Sequence, residues 1–195
     1  MENAIIVHGK PTRERYENPA EPKPHVANWL QWLGGQLRRA GVASVAVPAM
    51  PLPYFPVYKD WLHTFETTVE SVGPITENTI LVGHSAGAEF LLRYLSERRD
   101  RRVGKLVLVA PYRDYAGKYG DFSDFEVDPE LAERIGEIII VNSLDDDPPI
   151  QDRTAELRRR FPLATYLEFE HHGHFRIGHN MTGPEFPQLL EAILQ

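Results

Sequence analysis

The stretch Thr79-Ile80-Leu81-Val82-Gly83-His84-Ser85-Ala86-Gly87 constrains the fold more than any other part of the chain. Its apolar run lacks polar alternation, which predicts a strand, Thr79–Val82, buried on both faces. Almost at once a helix follows, Ala88–Arg98, with Phe90, Leu91, Tyr94 and Leu95 at helical spacing. Turning from strand to helix so abruptly requires a backbone angle most residues avoid. Gly83 and Gly87 let the two elements approach without Cβ clashes. The pattern Gly83-x-Ser85-x-Gly87 therefore presents the serine at the carboxyl end of a strand. A serine hydroxyl is a weak nucleophile until it is presented to a base. Ala86 opens the helix, so its N–H is available to hold an oxyanion. Five residues alone would also suit an ordinary turn that contains a serine, and it is the flanking strand and helix that give the motif its meaning.

The rest of the chain repeats the same alternation. Ala4–His8 is a buried strand that ends in His8-Gly9-Lys10, and Pro11 to His25 is a polar, proline-rich surface loop. A helix over Val26–Arg39 (Trp29, Leu30, Leu33, Leu37) stops at Gly41, and a second strand spans Val42–Val47. Met50 to Tyr58 has too many prolines for a helix or a central strand, and a helix runs from Tyr58 to Ser71. Strand Lys105–Ala110, an irregular Pro111–Asp128 stretch, a short helix Pro129–Ile135 and strand Glu137–Val141 come after the serine turn. Helix Asp152–Arg160, strand Ala164–Phe169 and a helix from Phe186 to Leu194 complete the order. Six short strands alternating with helices predict an α/β fold. The arrangement is a three-layer α/β/α sandwich around a mostly parallel six-stranded sheet, with no large cap domain.

In such a sheet active groups sit at the carboxyl ends of strands. If Ser85 is a nucleophile, an acid and a histidine should follow it past later strands, in that order. After the fifth strand comes Asn142-Ser143-Leu144-Asp145-Asp146-Asp147-Pro148-Pro149, and after the sixth Glu170-His171-His172-Gly173-His174-Phe175. His174 follows a glycine that permits a sharp turn back towards Ser85, and His171 and His172 read as surface or supporting residues. Asp147 opens an Asp-Pro-Pro-Ile turn into a helix and is the expected acid, with Asp146 the alternative. The second oxyanion donor should come from the loop after the first strand, where Lys10 N–H is the expected donor. His8 and His84 read as packing or structural histidines. A metal site drawn from His171, His172, His174 and His179 lacks the His-Glu-x-x-His helix and the carboxylate spacing that would complete it.

Composition narrows the classes. A length of 195 residues suits one domain, 1–195, with a sizeable core. There is no cysteine, which removes disulfides, thiolate chemistry and cysteine-bound zinc. A formal net charge of −7 argues against nucleic acid as a partner. The amino terminus is not a signal peptide, and no apolar run reaches the roughly 18 residues of a membrane span. A cytoplasmic protein acting on a small acyl substrate without a cofactor is expected, with a protein partner left open.

On the residues Gly83-His84-Ser85-Ala86-Gly87, the Asp147-Pro148 turn and Gly173-His174-Phe175, the chain resembles the α/β-hydrolase superfamily. More narrowly it is similar to the small, cap-less serine hydrolases typified by the retinoblastoma-binding serine hydrolase and its short bacterial relatives. Met50-Pro51 with Trp61 downstream also fits that family's second crossover, and the likeness spans nearly the whole chain. The resemblance implies Ser85 as nucleophile, Asp147 as the acid and His174 as general base, acting on a short-chain ester through an acyl-enzyme. Relatives usually show Ser-x-Asp-Asp, whereas this chain has one more aspartate. Counting from Ser143 selects Asp146, and counting back from His174 selects Asp147. The loop after His8 departs from the glycine-rich turn of relatives. A protein-interaction module on a hydrolase scaffold and an acyltransferase are the rival functions.

Overall fold

In the computed structural model, which describes residues 1–178 and 180–195, six strands form one parallel sheet, and Arg176–Ile177 pairs separately with Asn180–Met181. Its strands are β1 (Asn3–Val7), β2 (Ser44–Ala46), β3 (Thr79–His84), β4 (Val103–Val109), β5 (Ile135–Ser143) and β6 (Thr165–Phe169), in the spatial order β2-β1-β3-β4-β5-β6. The helices are α1 (Arg13–Glu17), α2 (Leu30–Arg39), α3 (Tyr58–Val72), α4 (Ala86–Glu97), α5 (Pro148–Arg160) and α6 (Pro187–Leu194). The chain order reverses direction across the sheet between β1 and β3, so a crevice opens beyond their carboxyl ends.

Side chains on each strand alternate between two cores, because successive Cβ atoms point to opposite faces. Ile5, Val7, Leu81, Leu106, Leu108 and Ile140 face the core built with α3 and α4. Ala4, Ile6, Ile80, Val82, Val107 and Val109 face the core built with α2 and α6. Both faces are covered, which accounts for strands that read as unbroken apolar runs. On α3, Trp61, Phe65 and Val69 recur every fourth residue and are buried, as one helical face requires. Helix α4 is buried from Ala86 to Ser96 and is the central helix of its layer. No helix among the described residues is long and apolar enough to cross a membrane.

Several boundaries differ from the sequence expectation for identifiable reasons. The loop after β1 holds the short helix α1, started by Thr12, whose side chain accepts a bond from the Arg15 N–H. Helix α4 begins at Ala86 rather than Ala88, directly after the serine. Helix α5 begins at Pro148 rather than Asp152, because proline is pre-shaped for the first helical turn. The Pro129–Ile135 helix is a 3-10 turn over Leu131–Arg134, and Ile135 already belongs to β5.

His8 follows β1 and ties two loops together. Its Nε2 accepts a bond from the Met50 N–H at 3.0 Å, and its Nδ1 lies 2.8 Å from the Gly9 carbonyl, to which it donates. This pattern requires the neutral ring. Burial drives the His8 pKa down to about 4 from an ordinary 6.5, against the Gly9 bond and helped by His25. The unfolded chain takes up a proton below pH 6.5, and the folded chain does so only near pH 4. Stability is therefore full above 6.5 and is lost as the pH falls towards 4, by about 3 kcal/mol for this one group. Urea midpoints measured at pH 7.0, 5.5 and 4.5 should fall steadily, and the His8→Gln variant should show a shallower slope. A wild-type midpoint that stays flat across this window would contradict the assignment.

Candidate active site

Ser85 stands at the crossing of β3 and α4 with φ 56° and ψ −118°, a left-handed backbone that L-residues rarely adopt. Its neighbours hold it there. The Ser85 N–H donates to the Val109 carbonyl at 2.8 Å, and its own carbonyl accepts from Ala88 at 3.0 Å and Tyr112 at 3.3 Å. A Cβ on Gly83 would lie 2.5 Å from the Ala88 Cα, and one on Gly87 would run into the Val7 carbonyl. The glycines are therefore required by the contact between elements. On the other side Gly9 backs onto the serine, where an added Cβ would be 2.9 Å from the Ser85 Cβ.

His174 lies between two partners. Its Nε2 is 2.9 Å from the Ser85 Oγ, and its Nδ1 is 2.9 Å and 3.1 Å from the two carboxylate oxygens of Asp146. With Nδ1–H donating to the carboxylate, Nε2 keeps a lone pair that accepts from the serine hydroxyl. The Asp146 side chain is almost wholly buried, whereas the His174 ring is one-fifth exposed. The acid is thus fixed and the base faces the cleft.

Asp147, the expected acid, does not occupy this place. It is the residue before α5, its side chain is exposed, and its backbone N–H donates to Asp146 at 2.8 Å. The helix that starts at Pro148 turns Asp147 outward and leaves Asp146 facing back to His174. The third aspartate has different work. Asp145 accepts from the Ser143 hydroxyl, from the Gly173 N–H at 2.8 Å and from the Asn180 side chain at 2.7 Å. These donors, the Ser143 hydroxyl first, hold its carboxyl below the usual range. Ser143 also accepts from the His172 N–H at 2.8 Å, so the end of β5 pins the loop that carries His174.

The same loop is held from below by two buried rings that lie far from it along the chain. His84 Nε2 donates to the His174 carbonyl at 3.0 Å, and Trp29 Nε1 donates to the Phe175 carbonyl at 3.1 Å. Full burial keeps the His84 pKa well below its ordinary value, with His174 nearby adding to the effect, so the ring is neutral. Phe175 is fully buried against Phe169 and Phe186, with ring centroids 5.7 and 5.5 Å away. His172 packs against Phe169 at 4.3 Å, a structural contact rather than a ligand's position. Among the described residues no cluster of three or more metal-ligating side chains forms, and His179 lies outside those residues.

Of the two expected oxyanion donors, Ala86 is the first residue of α4 and is buried beside the serine. Lys10 lies on the loop that Gly9 brings against Ser85 and lines both clefts at the site. Because His8 draws the Gly9 carbonyl one way, the Lys10 N–H across the same trans peptide points the other way.

Ser85 and His174 stand where two clefts meet. One is lined by Lys10, Arg15, Tyr16, Asn28 and Arg176, the other by Lys10, Tyr112, Tyr119, Asp147 and Arg176. Tyr112 and Tyr119 bring the irregular stretch after β4 to the border of the second cleft. The Met50–Tyr58 segment lines neither cleft, because its anchors turn inward. Met50 and Tyr58 are buried, and the Pro51 carbonyl accepts from Trp61 Nε1 at 2.9 Å. Residues 10–28 take its place. Arg15 and Tyr16 come from the loop after β1, which has no periodicity to mark them, and Asn28, expected inside the helix over Val26–Arg39, stands free of it because α2 starts only at Leu30.

The family model described as Serine hydrolase matches residues 25–190. The chain is 28% identical over 153 residues to the putative hydrolase YdeN of Bacillus subtilis (strain 168), covering 76% of this chain and 78% of that protein. The solved structure of the B. subtilis ydeN product superposes with a TM-score of 0.76 at 23% identity, over 99% of this chain and 97% of that one. Est1E from Butyrivibrio proteoclasticus gives 0.64 at 14% identity, over 99% and 85% of the two chains. The monoacylglycerol lipase of Paleococcus ferrophilus gives 0.65 at 16%, over 98% and 92%. These structural likenesses establish the α/β-hydrolase fold, and with most of its length matched by the family model the chain belongs to the serine hydrolase family.

Proposed function

We propose that this protein hydrolyses carboxylic esters of short acyl chains, with Ser85 as nucleophile, His174 as general base and Asp146 as the acid that orients it. The observation that carries this reading is the unbroken line of contacts, Asp146 to His174 at 2.9 Å and His174 to Ser85 at 2.9 Å. Ser85 Oγ attacks the ester carbonyl while its proton passes to His174 Nε2. The resulting oxyanion is held by the N–H groups of Ala86 and Lys10. Collapse breaks the bond to the alcohol oxygen, which takes the proton from His174 and leaves. Water then gives its proton to His174, attacks the acyl-enzyme and frees the acid and Ser85. Asp146 holds the Nδ1–H tautomer and balances the imidazolium formed in each half. The fold likeness to a monoacylglycerol lipase supports ester chemistry, and the open clefts without a cap favour a small substrate.

Two results test this. Ser85→Ala should abolish turnover of 4-nitrophenyl butyrate and labelling by a fluorophosphonate. Residual labelling at the wild-type level would sink the assignment, and a wild type inert to both reagents would favour a binding module on this scaffold. The two aspartates separate cleanly. Asp146→Asn should lower kcat by about 10³–10⁴, because the imidazole then loses its proper tautomer. Asp147→Asn should stay within a few-fold of wild type, and the reverse ranking would restore Asp147 as the acid.

A further inference from the structure

The first cleft beside Ser85 has an unusual balance of charge for this molecule. The chain carries a formal net charge of −7, yet Lys10, Arg15 and Arg176 line that cleft and no carboxylate does. All three side chains are half-buried. Arg15 forms an ion pair with Glu21 through its Nε at 2.9 Å, and Arg176 also feels Asp146 and Asp147 on its far side, but none of these carboxylates lines the cleft, whose own wall is cationic. The remaining wall is largely proline and aliphatic, with Pro11, Pro22, Pro24, Ala27 and Leu30. Such a wall lowers the local dielectric and strengthens any charge pair formed inside.

Resting on the hydrolase reading, we infer that the substrate is an ester whose acyl part carries a second, anionic group, a carboxylate, held by Arg15 and Arg176 in this cleft. Guanidinium groups present forked donors that match a carboxylate. After burial, the strongest influence on Arg176 is the like charge of Arg15, ahead of the carboxylates of Asp146, Asp147 and Glu21. Both guanidinium groups line this one cleft, and a bound anion would relieve the repulsion between them. Lys10 lies over the Tyr119 ring at 4.6 Å, between the two clefts, and adds its charge at the scissile end. In a protein of net negative charge, a local cationic funnel also draws an anionic substrate that the rest of the surface would repel. The anionic end bound here leaves the carbonyl within reach of Ser85 at the cleft's floor.

The test compares two esters of matched shape, mono-4-nitrophenyl glutarate and 4-nitrophenyl 5-methylhexanoate, on the full chain. The anionic ester should show a kcat/KM about tenfold higher at low salt, the scale of one charge-assisted contact. That ratio should shrink severalfold in 0.5 M NaCl, where screening reaches into an open cleft. Arg15→Gln and Arg176→Gln should each lower the ratio, and Arg176→Lys should retain part of it. Binding is read separately by calorimetry on Ser85→Ala, with the anilides of the same two acids. Turnover of both esters at equal efficiency, or a preference unmoved by salt and by both glutamine variants, overturns the inference. Preferential binding of the anionic anilide with no turnover of either ester would retire the hydrolase reading and leave the anion site standing.

Discussion

The left-handed backbone at Ser85 is the constraint on which the rest of the site depends. A non-glycine residue in this conformation costs about 1–3 kcal/mol and persists only when its surroundings over-determine it. Here they do so through main-chain contact. Gly83 and Gly87 let α4 lie directly on β3 and on the end of β1, and Gly9 closes from the far side. The strain is held by two cores, one on each face of the sheet. In return the hydroxyl stands clear of the sheet at the start of a helix, where unsatisfied N–H groups gather.

The proposed chemistry needs His174 held as firmly as Ser85, and the His174 loop has no helix of its own to stiffen it. Its rigidity comes from polar groups that are buried and paired. The His84 and Trp29 rings hold the carbonyls of His174 and Phe175, while Ser143 and Asp145 hold the N–H groups of His172 and Gly173. Each bond is modest in water, but breaking one made by the buried His84 or Trp29 ring leaves a buried donor without a partner, at a cost of about 1–3 kcal/mol. Two histidines close to the site, His8 and His84, serve this scaffolding in their neutral form. Burial accounts for both, since an uncharged ring can donate at one nitrogen and accept at the other.

The sheet and the positions of Ser85 and His174 were legible because parallel strands buried on both faces leave an unmistakable apolar run, and each ends where a side chain matters. The acid was not. Adjacent aspartates in an irregular turn carry no periodicity, and their roles differ only by where the next helix begins. Proline at 148 held that information. A proline suited to the first helical position makes Asp147 the residue before the helix and turns it outward, which leaves Asp146 for His174. The cleft wall from residues 10–28 was illegible for a different reason. Its residues are neighbours only after the loop folds back over the crevice between β1 and β3.

One further contact couples the helix that follows Ser85 to the helix that follows Asp146. Glu89, in the first turn of α4, and Arg153, on α5, are fully buried and meet at 3.0 and 3.2 Å in a forked pair. Burial pushes the Glu89 carboxyl up to about 7 even with Arg153 against it, so this pair is not a source of great net stability. Its consequence is geometric. Sliding α5 past α4 would separate two buried charges, which costs about 3–5 kcal/mol when one partner is lost. Asp146 sits just before α5 and Ser85 just before α4, so a clamp between the first turn of one helix and the middle of the other fixes the distance that His174 must bridge. The Asp146 side of the site is therefore set by helix-to-helix registration, and the aspartate turn has only to deliver its side chain from a place already fixed.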